Sequence, residues 1–144
     1  MSSTHPNMDA CPREMTIRRA GDDIAAAPSG MTSGPFLVQT ILKSQVDGEI
    51  TAMRVYLDPG NVSYWHRHPR GQMLFVLDGV GLVQNEGGAV VEVRAGGSVW
   101  FAPGERHWHG ASPASPFSYI SVQAIEDGVA VQWMEPIRAE PTRT

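Results

Sequence analysis

The sequence predicts a single all-β domain, an antiparallel sandwich or barrel. Three observations predict it. Short runs rich in β-branched and aromatic residues recur from Pro35 to the C-terminal region. They are separated by Gly, Pro and Asp-Gly turn signals. No stretch carries a helical repeat of apolar residues, and no internal repeat of solenoid length is present. The 144 residues suit one domain and are enough to bury a core without disulfide staples.

Residues 1–34 are rich in Ser, Pro, Asp and Ala and read as a flexible N-terminal arm, with a short strand near Met15–Ile17. His5 and Cys11 fall here, too few ligands in a loose segment to hold a metal. Residues 35–144 form the barrel. Its expected strands are Phe36–Leu42, Ile50–Leu57, Val62–His66, Gln72–Leu77, Val80–Gln84, Ala89–Val93, Ser98–Ala102, Phe117–Ala124 and Val129–Met134. Alternation assigns faces. In Ile50–Leu57 the Met53/Val55 face points inward, because the opposite face would bury Arg54. Gln72–Leu77 is apolar on both faces after its first residue. That predicts a homodimer, with a second subunit over the outer face, or else cover from the N-terminal arm.

Composition excludes several classes. A net charge of −4 with no Lys/Arg run argues against nucleic-acid binding. No apolar run approaches the length of a membrane span, and the N-terminus lacks the apolar stretch of a secretory signal. The single cysteine cannot form an internal disulfide. A cytoplasmic protein is expected.

The strongest chemical signal lies in the histidines. Four of the five form two pairs, His66-Arg67-His68 and His107-Trp108-His109, with Gln72 four residues after the first pair. Residues i and i+2 of a strand share a face, so each pair aims two imidazoles at one spot. Imidazole is the commonest metal-ligating side chain, and one metal site built from two distant strands is expected. The alternative is a surface or structural role with no metal bound. His109 shares the inner face with His107 and is a fourth imidazole ligand, a base beside the metal, or a group that orients a ligand. In Phe117–Ala124 one face carries Phe117, Tyr119, Ser121 and Gln123. Turned inward, it places Tyr119 and Gln123 as hydrogen-bonding groups near the metal. Tyr64 shares parity with His66, as Leu74 and Val76 do with Gln72. With Met53, Val55 and Phe117 they outline an apolar substrate pocket, although the aliphatic members would serve equally as plain core.

The segments Gly60-Asn-Val-Ser-Tyr-Trp-His66-Arg-His68-Pro-Arg-Gly-Gln72, then Gly79, and Gly97-Ser-Val-Trp-Phe-Ala-Pro103-Gly-Glu-Arg-His107 resemble the two motifs of the cupin superfamily, over roughly residues 36–134. The resemblance implies a jelly-roll β-barrel with one divalent metal ion inside, held by His66, His68, Gln72 and His107. The family's usual carboxylate is an amide here. Three neutral imidazoles and an amide leave the cation's charge uncompensated, which favours an oxyanionic ligand. Ligand type does not separate Zn, Mn, Fe and Ni.

The run PGERHWHGASP is similar to that of manganese-dependent hydroxynitrile lyases and of cupins associated with carboxymuconolactone decarboxylases. On that resemblance His109 and Gln123 match active-site residues, while Tyr119 stands where the lyases carry a further histidine. Small zinc cupins that cyclise aromatic polyketides are a second resemblance. Together they imply a metal-dependent enzyme that cleaves or forms a carbon–carbon bond, as a lyase or aldol-type cyclase, on a small hydrophobic carbonyl substrate through a metal-bound oxyanion. His109, Tyr119 and Gln123 would be its catalytic residues. The rivals are a polyketide cyclase, an iron-dependent dioxygenase, and a non-catalytic cupin that binds a small ligand.

Overall fold

In the computed structural model, which describes residues 10–137, the chain forms ten strands, all paired antiparallel, and no helix among the described residues. They are β1 Ile24–Ala26, β2 Leu37–Leu42, β3 Ile50–Leu57, β4 His66–Arg67, β5 Gln72–Asn85, β6 Val91–Arg94, β7 Ser98–Phe101, β8 His107–Ala111, β9 Phe117–Ala124 and β10 Gln132–Trp133. The path β1-β2-β3-β9-β5-β8-β4-β10 curls round one interior, with β6 and β7 also pairing β5. This is the predicted all-β jelly roll.

Strand β5 joins the two halves. Its first part, from Gln72, pairs with β7 and β9. Its last part, from Val80 onward, pairs with β6 and β8. The register shifts between Val76 and Asp78, which leaves an extra residue and bends the strand from one sheet into the other. Asp78-Gly79 therefore does not end a strand, as the sequence suggested; it is the corner of a 14-residue one. Gly79 sits at φ +81°, and a Cβ there would overlap the carbonyl oxygen of Pro116. Both the dihedral and the close approach require glycine. Gly79→Ala should cost more than about 2 kcal/mol, read as a lowered denaturant midpoint with an unchanged slope.

Two expectations for the arm differ from the structure. Met15–Ile17 is not a strand, and Met15 and Ile17 are exposed. The strand lies instead at Ile24–Ala26, paired to β2, and Met31 and Ser33 exchange backbone hydrogen bonds with Tyr64 and Val62. The barrel thus begins inside residues expected to be loose. His5 lies outside the described residues. Cys11 is a free thiol held near Glu49, its backbone N–H donating to Glu49 Oε1 at 2.8 Å.

The core is built from Val55, Leu57, Leu74, Val76, Val83, Phe101, Ala111, Phe117 and Tyr119. The outer face of β5 is different. Met73 and Phe75 are each 44% exposed, and Trp100, directly across from Met73 on β7, is 61% exposed. No helix of the described residues is long and apolar enough to cross a membrane.

Candidate metal centre

Strand pairing sets the site out in rows. On one wall, β9 lies between β3 and β5. Gln123 faces Thr51 and Gln72, Ser121 faces Met53 and Leu74, and Tyr119 faces Val55 and Val76. On the other wall, His66 of β4 lies opposite His107 of β8, and His109 lies opposite Val83 of β5. Cross-strand neighbours have Cβ atoms about 5 Å apart. The pairing therefore brings both HxH pairs and Gln72 together, although some forty residues separate the pairs in sequence.

The imidazoles are buried: His66 is 1% exposed, His68 3%, His107 0% and His109 4%. Three are held alike. The Nδ1–H of His66 donates to the Tyr64 carbonyl (2.8 Å), that of His68 to Ala130 (2.7 Å) and that of His107 to Glu105 (2.8 Å). Each bond fixes the tautomer and leaves an Nε2 lone pair free, the usual way a metal-ligating histidine is oriented. His109 is held differently. Its backbone N–H donates to Ser63 Oγ (3.1 Å), but both its ring nitrogens are buried without a hydrogen-bond partner, as is Nε2 of His68. Burial and the neighbouring imidazoles keep His66 and His109 well below the ordinary histidine pKa; burial takes His68 and His107 down to about 4. All four are neutral at pH 7.

These donors fit a cation. Gln72 is 4% exposed, and its Nε2 donates to Ser121 Oγ and Gln123 Oε1, both at 3.1 Å. Its oxygen is left 3.0 Å from Nε2 of His107. With the His107 proton on Nδ1, both atoms are acceptors. Two buried lone pairs facing each other repel unless something positive lies between them. Ligand atoms of His66, His107 and His109 all come within 4.8 Å of one another, so a histidine triad able to hold a metal ion is present. His66 and His107 belong both to this triad and to the set read from sequence. His68 and Gln72 complete the wall with a free Nε2 and an amide oxygen.

The cluster opens into a cavity of about 400 Å³ lined by His66, His68, Gln72 and His109, with Met53, Val55, Tyr119 and Gln123 of the expected pocket. Tyr64 does not line it; Ser63 does. Residues 62 and 63 make only isolated bridges, so strand alternation does not extend back from His66. Leu74, Val76 and Phe117 are also absent from the wall. They are almost wholly buried in the core, which fills that end of the barrel. The apolar lining comes instead from residues no motif marked, among them Met31, Phe36, Leu42, Ile125, Val131 and Trp133. Burial pushes the Tyr119 phenol up, so it stays a neutral hydroxyl. Its ring meets His109 edge-on at 5.1 Å between centroids. Phe101 stacks on His107 at 3.6 Å. A second, more open groove of about 360 Å³ holds none of these histidines.

Comparison with known proteins agrees with this fold. The family model for the cupin domain matches residues 53–123. The chain is 38% identical over 130 residues to an (R)-mandelonitrile lyase from Granulicella tundricola, covering 90% of this chain and 99% of that one. In structure it is similar to a cupin-like protein from Thermotoga maritima, with TM-score 0.72 and 24% identity over 88% of this chain and 93% of that one. It is also similar to the polyketide cyclase RemF from Streptomyces resistomycificus, with TM-score 0.68 and 17% identity over 88% and 90%.

Proposed function

The chain belongs to the cupin family, and from that premise we propose that it is a metal-dependent lyase that breaks or forms a carbon–carbon bond in a small hydrophobic hydroxy or carbonyl compound. The observation that carries the reading is the convergence of imidazole and amide lone pairs in the wall of a cavity of about 400 Å³ that also carries many apolar side chains. The curated relative, a mandelonitrile lyase matched along nearly its whole length, supports it.

In this reading His66, His68, Gln72 and His107 hold a divalent cation. When bound, the cation supplies Lewis-acid polarisation of a substrate oxygen. The protein does the rest. Met53, Val55, Phe36 and Leu42 enclose the apolar part of the substrate and exclude water. His109, neutral and with no backbone carbonyl fixing either ring nitrogen, takes the proton of a substrate hydroxyl as the carbon–carbon bond breaks and the carbonyl forms. It delivers that proton to the departing carbanion, cyanide in the case of a cyanohydrin; the reverse direction runs the same transfers backwards. Tyr119, held protonated beside His109, donates a hydrogen bond to the substrate.

The test is metal analysis of purified protein together with release of aldehyde and cyanide from an aromatic cyanohydrin. One divalent ion per chain and turnover abolished by chelator are expected. Protein that carries no metal after growth with Mn, Zn, Fe or Ni, and that melts identically with and without chelator, would overturn the reading.

We also infer a homodimer through the outer face of β5 and β7. The adjacent, exposed Met73, Phe75 and Trp100 make the kind of apolar patch that a second copy would cover. Light scattering should give twice the chain mass for the native protein and the single mass for Phe75→Glu. A native monomer at micromolar concentration would exclude the dimer.

A further inference from the structure

The structure assigns Thr51, Ser121 and Gln123 to a hydrogen-bonded cradle that holds the Gln72 amide with its oxygen toward the histidines; Thr51 and Gln123 are positioning residues for that ligand. The inference rests on the metal-centre reading above.

The cradle follows from the row in which β3, β9 and β5 place Thr51, Gln123 and Gln72 side by side on the inner face. Thr51 anchors it. Gln123 Nε2 donates to Thr51 Oγ1 at 2.7 Å and approaches the Thr51 carbonyl at 3.4 Å. The carbonyl can only accept, so the Gln123 amide is set with its nitrogen toward β3 and its oxygen toward β5. That oxygen accepts from Ser121 Oγ at 2.6 Å and from Gln72 Nε2 at 3.1 Å. Ser121 Oγ, its own proton committed to Gln123, accepts the other hydrogen of Gln72 Nε2 at 3.1 Å. Both hydrogens of the Gln72 amide are therefore used, and its oxygen is left facing His107 at 3.0 Å. All three side chains of this triangle are buried, Gln72 at 4% exposed, Ser121 at 4% and Gln123 at 6%.

The polarity of the cradle explains the amide at position 72. The two atoms facing Gln72 Nε2 are both acceptors. A carboxylate there would meet Gln123 Oε1 with a lone pair of its own, and a buried acceptor pair without a proton is costly. The cradle is matched to an amide ligand and mismatched to an acid. It also gives Gln123 a different role from the substrate contact expected from sequence: its amide is spent between Thr51, Ser121 and Gln72.

Three variants test this: Ser121→Ala, Thr51→Val, and Thr51→Ser as the conservative control. Zn²⁺ affinity is measured by chelator competition, and exchange of the Gln72 side-chain amide protons is followed by NMR in the metal-free protein. Ser121→Ala should weaken Zn²⁺ binding roughly 10–100-fold and Thr51→Val roughly tenfold. Both should speed Gln72 amide exchange, and Thr51→Ser should restore both readouts. Metal-free melting temperatures identify any variant that merely unfolds. Gln72 exchange unchanged in both Ser121→Ala and Thr51→Val overturns the cradle. Faster exchange with unchanged Zn²⁺ affinity overturns its service to the ligand. A wild-type protein that takes up no Zn²⁺ defeats the metal-centre reading instead, and amide exchange then decides the cradle alone.

Discussion

His109→Ala should lower turnover roughly 10²–10⁴-fold while leaving one divalent ion per chain. The expectation comes from the way the four imidazoles are held. His66, His68 and His107 each give their Nδ1–H to a backbone carbonyl, so each presents one lone pair in one direction, as a ligand must. His109 makes neither ring hydrogen bond, and either nitrogen is free to take a proton. Metal content and kcat measured on one preparation separate the roles. His66→Ala should lose metal and activity together, whereas His109→Ala should lose activity alone. The opposite result for His109, metal lost along with turnover, would place it among the ligands with His66 and His107, whose ligand atoms lie within 4.8 Å of its own.

The metal-free protein should lose stability steeply as pH falls from about 6.5 to 4. Unfolded imidazoles titrate near 6.5. In the folded protein burial lowers all four, His68 and His107 to about 4. Between those values the unfolded chain binds more protons than the folded one, so stability is fully present above about pH 6.5 and declines on acidification. For His68 and His107 the shift corresponds to about 3 kcal/mol each by pH 4, large beside the total stability of a small domain. Urea unfolding of chelator-treated protein across this range checks it. The midpoint should drop with acid and stay flat from pH 7 to 8. Adding Zn²⁺ at neutral pH should raise it, because the cation binds only the folded site. A midpoint that does not move between pH 6.5 and 4.5 would mean that the imidazoles are not buried as a neutral cluster.

Much of the site is legible in the chain because it obeys strand alternation. Met53 and Val55 on β3, and Tyr119 and Gln123 on β9, reach the interior from strands whose period-two pattern is unbroken. Where alternation fails, the reading fails with it. Tyr64 precedes a two-residue strand and is reached through isolated bridges, so its parity with His66 means nothing. Strand β8, rich in His and Trp and entirely buried, carries no alternation of apolar and polar residues, so it was absent from the β-rich runs; only the His107/His109 spacing marked it as a strand. Asp78-Gly79 looks like a turn because the same Gly that starts a turn also bends a strand.

The sequence by itself determined the fold class, the two histidine pairs that face one another, the amide at position 72 and the inward faces of β3 and β9. These depend on local geometry, the two-residue repeat of a strand and the chemistry of the side chains that occupy it. Only the tertiary structure decided how the donors are used. The carbonyls of Glu105 and Tyr64, two residues before His107 and His66, fix those imidazoles, but the carbonyl that fixes His68 comes from Ala130, 62 residues away. The atom that anchors Gln72, through Gln123, belongs to Thr51 on a third strand. Leu74 and Val76 share the face of Gln72, yet they fill the core while Gln72 lines the cavity. A backbone carbonyl leaves no mark in a sequence, and parity says which face a side chain takes but not how deep in the barrel it lies. Three-dimensional packing alone separates the imidazoles whose Nδ1–H is fixed by a backbone carbonyl from the one whose ring nitrogens both lack a partner.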